Sequence, residues 1–137
     1  DNFTRVDIGA VGTPNPAPGA TAVTPATANA GESGLIAVVY GSGFTTDSVG
    51  RWNGQNRTTA YVSPSELEVS LTAGDLSAPT TGTITVANPA PGGGVSQGLA
   101  FQVVSGPLPQ PTIANLAPAT AVAGSSAFTL TVTGSGY

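Results

Sequence analysis

Residues 25–44 read PATANAGESGLIAVVYGSGF, and residues 118–137 read PATAVAGSSAFTLTVTGSGY. A shift of 93 residues aligns the two without a gap, with identity at eleven of the twenty positions. The chain is therefore organised on a repeat, which has to be recognised before any strand is assigned. The second copy also decodes the first. Its FTLTVT run alternates strictly, with Phe128, Leu130 and Val132 on one face and three threonines on the other, the period of a half-buried strand. In register, Leu35, Ala37 and Val39 become the core face of LIAVVY. Ile36, Val38 and Tyr40 then fall where the second copy has threonine, and an apolar outer face of that kind calls for a cover.

Working outward, Pro14, Pro16 and Pro18 fall on Pro107, Pro109 and Pro111, while Val6 and Ile8 fall on Leu99 and Phe101. Three pieces follow. Residues 1–13 read as the closing strand of a preceding repeat, 14–106 as one complete repeat, and 107–137 as the opening strands of a further, incomplete one. The alternate prolines of PNPAPG predict a stiff, extended connector, and PLPQP repeats it between copies.

Composition fits short strands and tight turns. Of 137 residues, 19 are glycine and 12 proline, only 7% are charged, and there is no cysteine, methionine, histidine or lysine. A charged fraction this far below the roughly 25% of ordinary soluble domains leaves little for a helix surface to use. Net charge is −4, with arginine only at 5, 51 and 57, so there is no basic footprint for nucleic acid or an anionic membrane. No apolar run reaches the roughly 18 residues of a membrane-spanning helix.

Along the complete copy, Ala20–Val23 reads as an edge strand and residues 25–31 as a turn. Ser48–Trp52 leads into Asn53-Gly54, the strongest hairpin dipeptide present, with Thr58–Val62 as the expected returning strand. Ser63-Pro64-Ser65-Glu66 suggests one helical turn. Leu67, Val69 and Leu71 alternate with Glu66, Glu68 and Ser70. Thr83–Ala87 then pairs across NPAPGGG with Leu99–Val104. About seven short strands spaced by turns predict an antiparallel β-sandwich of the all-β class.

The order of a PATAxAG turn, a GSGF or GSGY strand end, VGRWNG, TTAYVSPSELEVSL and GTITVANPAPGGG resembles the IPT/TIG domain over nearly all of 14–106, and over 107–137 as far as that copy goes. The resemblance implies an immunoglobulin-like sandwich, used in tandem by bacterial secreted and cell-surface proteins as spacer, adhesin or accessory module, and hence an extracellular location. IPT domains of some transcription factors touch DNA, but the basic residues for that are missing here.

Without histidine, cysteine or lysine, triads, Cys–His pairs, Ser–Lys dyads, ordinary zinc sites and Lys–Asn isopeptide crosslinks are all excluded, and neither catalysis nor a cofactor is expected. Glu66 and Glu68, roughly 7 Å apart on one strand face, have a hydrolase-like spacing, yet nothing around them supplies a pocket and a solvated acidic face is the favoured reading. Asp47 and Asp75 lack the dense acidic loop that calcium needs. Gly92-Gly93-Gly94 precedes no helix and reads as a hairpin, not a phosphate cradle. Arg51, Trp52 and Tyr61 form the one constellation that suggests glycan binding, by stacking and hydrogen bonding across the Asn-Gly hairpin; the competing reading packs Trp52 in the core.

Two opening strands alone bury too little apolar surface to offset their ordering. Phe128, Leu130 and Val132, together with Val6 and Ile8 of the N-terminal arm and the outer row Ile36, Val38 and Tyr40, are therefore the expected assembly interface. Its partners are adjacent repeats of the same polypeptide or other copies of the chain, joined by β-strand addition.

Overall fold

A computed structural model describes residues 12–107 and 110–136. Among these residues the elements are, in chain order, β1 (Gly19–Thr24), β2 (Thr27–Asn29), β3 (Gly34–Ser42), β4 (Val49–Trp52), β5 (Gln55–Asn56), β6 (Thr59–Ser63), β7 (Glu66–Thr72), β8 (Thr80–Asn88), β9 (Gly94–Val95), β10 (Leu99–Val104), β11 (Thr112–Ala117) and β12 (Thr131–Ser135). They divide into one compact unit ending at Ser105 and a second beginning at Gly106.

The first unit is an immunoglobulin-like β-sandwich. One sheet has the order β1-β3-β7-β6, and the other β2-β10-β8-β4-β5, with β9 added to β8. In immunoglobulin terms these are strands A-B-E-D facing A′-G-F-C-C′. The opening strand is shared between the sheets: β1 pairs antiparallel with β3, then the chain crosses at Pro25-Ala26 and β2 pairs parallel with β10, Thr27 opposite Gln102 and Ala28 opposite Val103. Residues 27–29 are thus a strand and not the turn their sequence suggests.

Alternation places the core as expected. Ala37 and Val39 are fully buried, as are Leu67 and Val69 on β7 and Ile84 and Val86 on β8, with Phe101 between the sheets and Leu35 packed at the margin. These apolar side chains hold the two sheets together where antibody domains use a disulfide. Trp52 on strand C is buried, meeting Phe101 edge to face with ring centroids 5.7 Å apart and planes at 80°. Gly82 makes room for it: a β-carbon there would collide with the indole ring.

Two local expectations change. Asn53 (φ 48°) and Gly54 (φ 82°) do form the left-handed pair of a two-residue hairpin. Its return strand, however, is only β5, and after Asn56 the chain crosses to the other sheet, where β6 pairs with β7. Ser63–Glu66 is a tight β-turn rather than a helical one; its carbonyls at Ser65 and Pro64 accept from the N–H groups of Gly41 (2.9 Å) and Phe44 (3.0 Å), which pins it to the end of β3.

Nor is the PNPAPG segment a free connector. Asn15 N–H donates to Pro91 O (2.7 Å), Gly93 N–H donates to Asn15 O (2.7 Å), and Asn15 Nδ2 donates to Pro89 O (2.8 Å). Proline removes donors from alternate positions, and the backbone and side-chain amide of Asn15 between them are taken up by the loop after β8. Gly93 adopts φ 69° there, packed so closely that a β-carbon would lie 2.5 Å from Asn88 O.

The second unit is a two-stranded antiparallel sheet, and its pairing duplicates that of β1 with β3. In β11–β12 the partners are Thr112–Ser135, Ile113–Gly134, Asn115–Thr133, Leu116–Val132 and Ala117–Thr131, with a register shift between Ile113 and Asn115. Subtracting 93 from each gives the β1–β3 pairs, including the register shift between Ala20 and Ala22. The glycine contacts match as well. Gly43 and Gly136 both have positive φ, and a β-carbon on them would press on Ala17 O (2.7 Å) and Gln110 O (2.8 Å), positions again 93 apart.

Candidate functional site

Three surfaces bear on function, and the hairpin of the second unit stands out. In the first unit the inner positions Ala20 and Ala37 are fully buried beneath the facing sheet. Their equivalents, Ile113 and Leu130, are 66% and 52% exposed, and Phe128, the equivalent of Leu35, is 55% exposed. Val132 is 42% exposed on the same face.

The elements themselves shorten where the cover is missing. β3 begins at Gly34, because Leu35 and Ala37 pair with Leu71 and Val69 of β7. β12 begins only at Thr131, so Phe128 and Leu130 precede the strand that their alternation predicts. Similarly, Thr27–Asn29 is a strand only as the partner of β10, whereas Thr120–Val122 is irregular and Val122 is 80% exposed. The missing strand character follows from backbone donors and acceptors without a neighbouring ladder.

The second surface is the outer face of the β1-β3-β7-β6 sheet. Ile36 and Tyr40 are exposed and Val38 is half-buried. Ser70, Glu68 and Glu66 stand directly opposite them on β7, so the apolar row is flanked by two carboxylates. The corresponding positions of the second unit carry Thr129, Thr131 and Thr133. Val6 and Ile8 of the expected interface lie outside the described residues.

The glycan constellation is not assembled, which corrects the expectation for Arg51, Trp52 and Tyr61. Trp52 faces the core and has no ring face to offer a sugar. Arg51 is the next residue on β4 and so points to the opposite side, where its Nε donates to Asn56 Oδ1 at 2.9 Å. Tyr61 is on β6, in the other sheet, opposite Leu67. Because the return strand after the Asn-Gly turn stops at Asn56, the aromatic pair predicted across the hairpin never forms.

Two polar clusters that sequence reasoning missed hold the first unit together. Asn88 is buried, and its Nδ2 donates to Pro16 O (2.8 Å) and Gly43 O (2.7 Å) while its Oδ1 accepts from Ser48 Oγ (2.5 Å). Arg57, on the crossover from β5 to β6, grips Asp75 in the turn after β7 with both Nε and Nη2. Asp75 Oδ2 also accepts from Thr72 N–H (2.9 Å) and Thr72 Oγ1 (3.0 Å). The hydrogen bond from Arg57 holds the Asp75 carboxyl below its ordinary range, against the desolvation that would raise it, and Asp75 in turn raises Arg57. Both Asp75 oxygens are thus engaged within the fold, by Arg57 and by Thr72. Among the described residues every buried side-chain nitrogen or oxygen has a partner.

Neither the models of known protein families nor the curated proteins include a match to this chain.

Proposed function

We propose that the chain is a structural and interaction module of an extracellular bacterial protein, a subunit of a surface fibre assembled head to tail by β-strand complementation. The observation that supports this reading is the second unit: a residue-for-residue duplicate of the β1–β3 hairpin whose core face, Ile113, Phe128 and Leu130, lies open to solvent. Each such side chain contributes about 1.5–3 kcal/mol when buried, which is a strong drive to acquire a facing strand or sheet. A composition with no lysine and 7% charge suits a densely packed polymer resistant to trypsin-like proteases. The IPT/TIG-like motif order agrees with that role, since immunoglobulin-like modules are stacked in series in surface proteins.

The same uncovered face also fits a spacer in a longer tandem array, where the following residues of one polypeptide supply the cover. The experiment that separates the two uses purified chain with and without residues 1–13. Electron microscopy and sedimentation are expected to show filaments for the full chain and their loss on deletion. Filaments that persist after the deletion overturn strand complementation. A full chain that stays monomeric at high concentration and acquires a folded second unit only when extended C-terminally favours the spacer.

A further inference from the structure

We infer that the first units of two copies stack sheet on sheet, the outer face of β1-β3-β7-β6 in one copy against the outer face of β4-β8-β9 in the other, with Glu68 of the one seated on Arg51 of the other. This side-by-side contact goes beyond the fibre reading and does not depend on it, because it uses neither the second unit nor residues 1–13.

Among the described residues Arg51 is the one cation without an ion pair, since Arg57 is held by Asp75. Strand β4 alternates, so Gly50 and Trp52 are buried while Val49 and Arg51 stand on the outer face. There Arg51 lines a hollow of about 110 Å³ with Asp47, Val49, Asn56, Ala87 and Pro89. Asn56 Oδ1 accepts from Arg51 Nε at 2.9 Å, which steadies the guanidinium and leaves both Nη groups unengaged. Asp47 is exposed at this hollow but makes no ion pair with Arg51. A planar fork of donors in a shallow hollow suits a carboxylate.

The opposite side of the sandwich carries the matching group. Glu68 is half-buried on β7 with Val38 and Ala60 as its paired neighbours on the two flanking strands, and Glu66 stands next to Tyr40. Neither carboxylate has a hydrogen bond or ion pair among the described residues, and no strand of this sheet contains an arginine. Any surface that covers Ile36, Val38 and Tyr40 also takes these carboxylates out of water, so it has to bring a cation. With no lysine in the chain and Arg57 engaged, Arg51 is the side chain that a second copy has to offer. The second unit does not serve, because residues 106–137 contain no charged side chain.

Both faces also supply apolar area beside the charge. Val49, Ala87 and Val95 lie side by side across β4, β8 and β9, and Val95 is 56% exposed. Apolar contact between the faces excludes water from the ion pair, which strengthens it and fixes the register of the stack. The two surfaces are outer faces of opposed sheets, so they do not meet within one unit. Each copy offers a different face to each neighbour, and such a heterologous contact propagates instead of closing a pair.

Charge reversal tests the pairing in the full chain. Arg51→Glu and Glu68→Arg are each expected to weaken side-by-side association about tenfold or more in sedimentation, and the two together to restore it to within about threefold of wild type. A second measurement uses the lack of lysine: Arg51→Lys places one side-chain amine at the hollow, and a zero-length carbodiimide couples it only to a carboxylate in contact. The expected product is a dimer joined by an amide from position 51 of one chain to Glu68 of another. An amide formed only with Asp47 of the same chain overturns the contact, as does a double reversal as weak as either single one. Association indifferent to both single reversals, or a wild-type chain that stays monomeric, also overturns it. Filaments that form in every variant without the 51–68 amide overturn this contact while leaving strand complementation standing.

Discussion

Asn88, at the end of β8, ties together the loop before β4, the entry segment and the residue that follows β3 through Ser48, Pro16 and Gly43. Replacing it by alanine strands two carbonyls and a hydroxyl, so Asn88→Ala is expected to cost about 2–3 kcal/mol in chemical denaturation. Nothing in TVANPAP marks Asn88 as more than a turn residue, because its three partners lie 40–72 positions away. Asp75 makes a pH-dependent contribution. Its carboxyl titrates below the ordinary range when folded, so the contribution is present above that range and is lost as pH falls through the folded value. Thermal melts of wild type and Asp75→Asn across the acid range are expected to differ at neutral pH and converge at the acid end.

At the scale of elements, the sequence reveals those strands whose two faces differ, and hides those defined only by a neighbour. Alternation in residues 35–40 and 66–71 marked β3 and β7, and the Asn-Gly dipeptide marked the turn after β4, though not the strand that returns from it. β2 escaped notice because three residues between Pro25 and Gly31 carry no period, and its partner is 75 positions away. The sheet taken by β6 was equally illegible: the local hairpin signal pointed to β4, while burial of Leu67 and Val69 beside Tyr61 and Thr59 decided for β7. The two hairpins share a backbone but not a core. Ala37→Leu, which copies Leu130 into the filled first sandwich, is expected to destabilise it by about 1–3 kcal/mol through overpacking, visible as a lower melting temperature.

At the scale of the whole molecule, the outer row Ile36, Val38 and Tyr40 distinguishes the first unit from the second. Converting all three to threonine reproduces the second unit's outer face, and threonine retains strand propensity. Folding stability is expected to change by about 1 kcal/mol or less, as for surface substitutions, while lateral association measured by light scattering falls. Unchanged association would remove that row from the interface.

The split opening strand has a mechanical consequence. Tension along the chain enters above β1 and leaves below β10, pulling β2 and β10, which are parallel neighbours, in opposite senses along their common axis. Their hydrogen bonds are then loaded together in shear instead of being opened one at a time, as they would be in a hairpin peeled from its turn. Pulled through residues 14 and 105, the sandwich should yield abruptly and at higher force than when pulled through the two ends of the β6–β7 hairpin, so that a string of such units would behave as a stiff tether with discrete breaking points.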